Sequence, residues 1–148
     1  MVDADACPVK DEILYVSRKF NVQPIFVSSY NHFSPAVNND SKWVYVDTDR
    51  EAVDMYIANN AMEDDVVITQ DIGLASLVLK RGGYVLSPRG KIYREQEIEQ
   101  MLQLRFLRAK QRRQGIYAKG PKQLSQKDRF AFIQSLEKIL SKLAGNLD

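Results

Sequence analysis

An α/β fold with a central, mostly parallel five-stranded sheet flanked by helices is expected, because short β-branched or aromatic runs alternate with longer segments of helical period. The length of 148 residues suits one domain able to bury a proper core without staples. Residues 1–148 therefore read as a single domain, with a basic, helical final third from about residue 95 onward.

The first strand is a stub at Val2-Asp3. A helix from about Pro8 to Phe20 follows: proline is tolerated in a first turn, Asp11 and Glu12 suit the positive end of the dipole, and Ile13, Leu14, Val16 and Phe20 give an apolar stripe. Asn21 ends it. Pro24 to Ser28 reads as the second strand and Trp43 to Val46 as the third, with a polar loop from Ser29 to Lys42 between them. Thr48-Asp49-Arg50-Glu51 has capping-box spacing and predicts a helix from about Arg50 to Asn60. Val66 to Thr69 is the fourth strand. A helix from Ile72 to Arg81, closed by Gly82-Gly83, leads to the fifth at Tyr84 to Leu86. After a turn at Pro88-Arg89-Gly90 come two helices, about Glu95 to Arg113 and Gln126 to Leu143. In the last, Phe132, Ile133, Leu136, Ile139, Leu140 and Leu143 share one face and should dock on the sheet.

Composition excludes several classes. No run approaches the ~18 apolar residues of a membrane span, and no charged region precedes an apolar signal segment, so a cytoplasmic protein is expected. Cys7 is the only cysteine and His32 the only histidine, which rules out an intrachain disulfide and a Cys-rich zinc site. The net charge of +2 conceals an asymmetry: residues 1–100 carry 10 Lys/Arg against 16 Asp/Glu, and residues 101–148 carry 11 against 3. A carboxylate-rich body with a basic tail suits a metal-dependent enzyme acting on a polyanion, although a solvated basic helix would look the same.

Ligands of open parallel sheets bind at the carboxyl ends of the strands, near the point where strand order reverses. Asp3 and Asp5 follow the first strand, Asp71 follows the fourth, and Asp54 lies one turn into the helix after the third. These four would converge if strands one and four were neighbours. Aspartates without His or Cys fit Mg²⁺ or Mn²⁺ better than zinc. Plainer roles compete: Asp5 and Asp71 precede helices and could be N-caps, and Asp54 could face solvent. Turn and cap chemistry accounts for Asp47 and Asp49. Asp3, on a strand expected to be central, needs a ligand or partner. Cys7 reads as a small buried residue rather than a reactive thiol.

The blocks VDADACP at 2–8, ITQDIGLA at 68–75, SPRG at 87–90 and SQKDRFAF at 125–132 resemble the YaiI/YqxD family of bacterial proteins, in the right order over nearly the whole chain. The resemblance implies a three-layer PIN-like domain, of a nuclease superfamily whose acidic cluster binds Mg²⁺ or Mn²⁺. By position it makes Asp3, Asp54 and Asp71 the metal-holding acids, with Asp5 part of the signature. Arg89 and the pair Asp128-Arg129 match family positions as well. The chain departs from the family pattern at Ser87, where asparagine is usual, and at Lys122-Gln123-Leu124, where a P-x-P-F-like stretch is usual.

The expected function is thus a divalent-metal-dependent nuclease, on RNA in preference to DNA, with catalytic Asp3, Asp5, Asp54 and Asp71. Arg105, Arg108 and Arg112 share a helical face, and Arg113, Lys119 and Lys122 extend that basic region, with Lys110 among them. Together with Arg89 and Arg129 they form the candidate nucleic-acid-binding set. Tyr30, His32, Phe33 and Tyr117 could stack on unpaired bases or serve packing alone. Two other readings stand beside this one. Asp3-x-Asp5 also looks like the D-x-D of haloacid-dehalogenase-type phosphatases, with Asp3 as nucleophile and Ser28 as their hydroxyl. The chain could also be a non-catalytic RNA-binding or partner-binding module.

Overall fold

The computed structural model describes residues 1–30, 40–49, 51–117 and 123–145. One sheet organises them. Its strands are β1 (Val2–Asp3), β2 (Ile25–Ser29), β3 (Lys42–Val46), β4 (Val66–Ile68) and β5 (Tyr84–Leu86), and they lie in the order β3-β2-β1-β4-β5. Every pairing between strands is parallel. The helices are α1 (Lys10–Lys19), α2 (Ala52–Asn60), α3 (Ile72–Lys80), α4 (Glu95–Arg113) and α5 (Gln126–Gly145), and a short 3-10 turn occupies Ala4–Ala6.

The register explains the layers. Val2 pairs with Phe26 on one side and Ile68 on the other, and Ile68 pairs with Leu86. All four side chains point to the same face and join Ile13, Val16, Phe132, Leu136 and Ile139 from α1 and α5 in one core cluster. Adjacent residues along each strand point the opposite way, as a period of two demands. Val27, Val67 and Val85 therefore meet Val53, Ile57, Leu74, Val78 and Ile98 from α2, α3 and α4. The result is a three-layer α/β arrangement, and the apolar stripe expected of the last helix is the one that docks. Within these layers Phe26 and Phe132 are the largest fully buried side chains.

Element boundaries differ from expectation by a residue or two, and for the helix after Glu51 the expected cap differs as well. The Thr48/Glu51 capping box does not form: Glu51 itself is the N-cap, without a side-chain cap bond, and α2 starts at Ala52. Backbone carbonyls take over, with the amides of Ala52 and Met55 donating to Asp49 and Glu51. A box does form at α5. The amide of Asp128 donates to Ser125 Oγ at 3.1 Å while Asp128 Oδ2 accepts from the amide of Ser125 at 3.0 Å, satisfying two donors reciprocally.

The SPRG turn clamps α5 from the other side. Gly90 has φ +91°, and its α-carbon sits so close to the helix that an added Cβ would lie 2.7 Å from the carbonyl carbon of Ala131. Its carbonyl accepts from Ser135 Oγ at 2.7 Å, and Arg89 pairs with Asp128 at 3.0 Å. No helix among the described residues is long and apolar enough to cross a membrane.

Candidate active site

Strand order reverses between β1 and β4, the neighbours whose carboxyl ends carry Asp3 and Thr69. Thr69, the residue after β4, is buried and links the two halves of the site. Its hydroxyl donates to Asp3 Oδ2 at 3.2 Å and accepts from the amide of Asp71 at 3.0 Å. Asp71 is the N-cap of α3, its Oδ1 accepting from the amide of Leu74 at 3.1 Å. Capping is thus one of its roles. The other is electrostatic: Asp54, in the first turn of α2, hydrogen-bonds to Asp71.

Protonation reports how much negative charge has been gathered. Burial pushes the Asp54 carboxyl up to about 7, helped by its hydrogen bond to Asp71 and by the charges of Asp71, Asp3 and Glu51. Asp3 is raised too, chiefly by burial and further by Asp5 and Asp71, against the opposing hydroxyl of Thr69. Burial would also raise Asp71. It is instead held below the ordinary carboxylate value by hydrogen bonds from Asp54 and from the amides of Leu74 and Gly73, and by the nearby Arg105 guanidinium. One proton therefore sits between Asp54 and Asp71, on the Asp54 side.

That proton gives a sign to the pH dependence. A carboxyl whose folded value is about 7 against 3.8 unfolded contributes stability that is full below 3.8 and lost as pH rises through 7. The metal-free protein should lose stability between roughly pH 4 and 7, and Asp54→Asn should flatten that slope. Urea melts of both proteins across this window are the check. A slope equal in the two proteins would contradict the assignment.

Asp5 takes a different part. It lies in the 3-10 turn, α1 begins later with Val9 as its N-cap, and Asp5 Oδ1 accepts from Ser28 Oγ at 2.7 Å and the amide of Ser29 at 3.0 Å. It fixes the end of β2 against the turn after Asp3. Cys7 is buried and its thiol is pushed up by burial, the opposite of an activated nucleophile.

Of the basic candidates, Arg105 stands closest to the acids, at the N-terminal end of α3. Arg108, Arg112 and Arg113 are exposed along α4. Lys119, Lys122, His32 and Phe33 lie outside the described residues. Arg89 pairs with Asp128, and Arg129 donates to the carbonyl of Pro8 at 2.9 Å and to Glu12 Oε1 at 3.0 Å. These two arginines fasten α5 to the turn after β5 and to the start of α1. Glu12 Oε2 is buried without a hydrogen-bond partner among the described residues, so Arg129→Ala should cost about 1 to 3 kcal/mol in chemical denaturation by stranding the rest of that carboxylate. Sequence reasoning passed over Thr69 and Ser29 and read Ser28 only as a phosphatase-type hydroxyl, not as the partner of Asp5; the T-x-D spacing before α3 was the available signal for Thr69.

Oxygen-only donors from β1, α2 and the start of α3 suit a hard divalent cation. Among the described residues no three His, Cys, Asp or Glu side chains are already drawn together around a metal position.

The match to known proteins covers this framework. The family model described as "Uncharacterized BCR, YaiI/YqxD family" matches residues 1–142. The chain belongs to this family. A UPF0178 protein of Bacillus cytotoxicus is 52% identical over 147 residues, 99% of this chain and 95% of that protein. One from Bacillus velezensis is 51% identical over 140 residues, 95% of this chain and 83% of its own length. One from Listeria welshimeri is 51% identical over 132 residues, 89% of this chain and 88% of its own. No solved structure matches the chain.

Proposed function

We propose that this YaiI/YqxD protein is a divalent-metal-dependent nuclease of PIN-like architecture, acting on RNA in preference to DNA. The observation that carries the reading is the convergence of Asp3, Asp54 and Asp71 at the switch point, where burial first, and the neighbouring carboxylates after it, push Asp54 up to about 7. Asp3, Asp54 and Asp71 would hold Mg²⁺ or Mn²⁺. The ion would supply a water activated for attack and charge compensation on the phosphodiester. Thr69 orients Asp3 and Asp71 toward each other, and Asp5 holds the backbone after β2 in place. Arg105 offers a cation beside the acids for a neighbouring phosphate, and Arg108 and Arg112 extend that charge along α4.

The phosphatase alternative fits less well. Ser28 would have to offer its hydroxyl to a phosphate, yet it donates to Asp5. Thermal melting with added Mn²⁺ tests the proposal. The melting temperature of the wild type should rise with the ion, and Asp3→Asn should abolish the rise. Equal response in both proteins would remove Asp3 from the site, and no response in the wild type would favour a non-catalytic binding module.

A further inference from the structure

Among the described residues, helix α4 packs its apolar side chains on the body only in its first half, with Arg105 reaching from just beyond it to the start of α3. Ile98 is buried, and Met101 and Leu102 pack on the cluster beneath it; from Gln103 to Arg113 only Ala109 is less than exposed. Phe106 and Leu107 are 64% and 53% exposed. A solitary helical half with bare aromatic and aliphatic side chains is marginal in water, since packing of one face supplies most of a helix's stability.

Its residues are ordered by charge. Glu95, Glu99, Leu102, Phe106, Lys110 and Arg113 follow one another at spacings of three and four, so they form one seam along the helix. The seam is acidic at its start, apolar in the middle and basic at its end. Glu95, Glu99, Lys110 and Arg113 take part in no ion pair among the described residues.

We infer that α4 is a homodimerisation helix that pairs antiparallel with α4 of a second copy. Reversing the seam about a two-fold axis near Leu104 sets Leu102 against Phe106, Glu99 against Lys110 and Glu95 against Arg113, each contact occurring twice. Self-complementarity of this kind singles out a second copy, because a nucleic acid would be repelled by the acidic end. Arg108 and Arg112 lie roughly a third of a turn or more round the helix from the seam and stay open to solvent in the pair. The helix is about 27 Å long, a small interface, so association falls in the micromolar range and weakens with salt. This inference is independent of any activity at the aspartates.

Sedimentation velocity across low to high micromolar concentrations tests it, with circular dichroism confirming that each variant folds. Wild type should shift from monomer to dimer, more readily at low salt, and Phe106→Ser should remain monomeric. The double variants Glu95→Lys/Glu99→Lys and Lys110→Glu/Arg113→Glu should each be monomeric alone and form a heterodimer when mixed. A wild type monomeric at every concentration, or charge variants that self-associate as well as wild type, would overturn it. Mixed variants that fail to associate would overturn the antiparallel register.

Discussion

Asp71→Asn is expected to reduce metal-dependent cleavage of single-stranded RNA by more than about a hundredfold, because groups that merely orient metal-holding carboxylates already cost about ten- to a hundredfold when removed. Asparagine keeps the Oδ1 acceptor that caps α3, so the fold should survive. Thr69→Val belongs in the same experiment. Valine matches threonine in shape but cuts the hydroxyl that joins Asp3 to the amide of Asp71, and it should fall in the ten- to a hundredfold range. Single-turnover cleavage in Mn²⁺ separates the two. A Thr69→Val enzyme as fast as wild type would show that the hydroxyl does not position the acids. Asp71→Asn at full rate would remove the proposed site altogether.

The largest effect on stability should come from Gly90→Val. The backbone there has φ +91°, and the added Cβ would meet the Ala131 carbonyl carbon at 2.7 Å, inside a helix that cannot yield. Strain and overpacking together should cost about 2 to 5 kcal/mol, a fall in melting temperature of roughly 5 to 15 °C for a chain of this size. Gly115 supplies the control. It shares a positive φ of +83°, yet among the described residues nothing lies within 4 Å of where its Cβ would be. Gly115→Ala should pay only for the backbone, about 1 kcal/mol. Equal losses in the two variants would mean that backbone conformation, and not the close approach to α5, sets the cost at Gly90.

Much of this was legible in the residues themselves, because period is local. The runs at Val66 and Tyr84 and the stripe from Phe132 to Leu143 announce their elements, and the β-α alternation implies parallel pairing. The nearness of Asp3 and Asp71 followed once strands one and four were taken as neighbours. Contacts that cross the fold were not legible. Nothing near Asp5 says that it holds Ser28, and nothing near Arg129 says that it reaches Pro8 and Glu12, 121 and 117 residues away. The Thr48/Glu51 spacing was misleading for a related reason: a capping box requires the chain to enter the helix at its threonine, and here it turns three residues later.

The clasp between α5 and α1 also bears on how the chain acquires its shape. Val2 lies in the middle of the sheet, and the face it presents is covered by Phe132 and its neighbours, from the far end of the sequence. On a ribosome the segment bearing Asp3 emerges early and must wait until α5 has been synthesised before its flank is dry. Contacts of such long separation raise the contact order and slow folding of the domain as a whole.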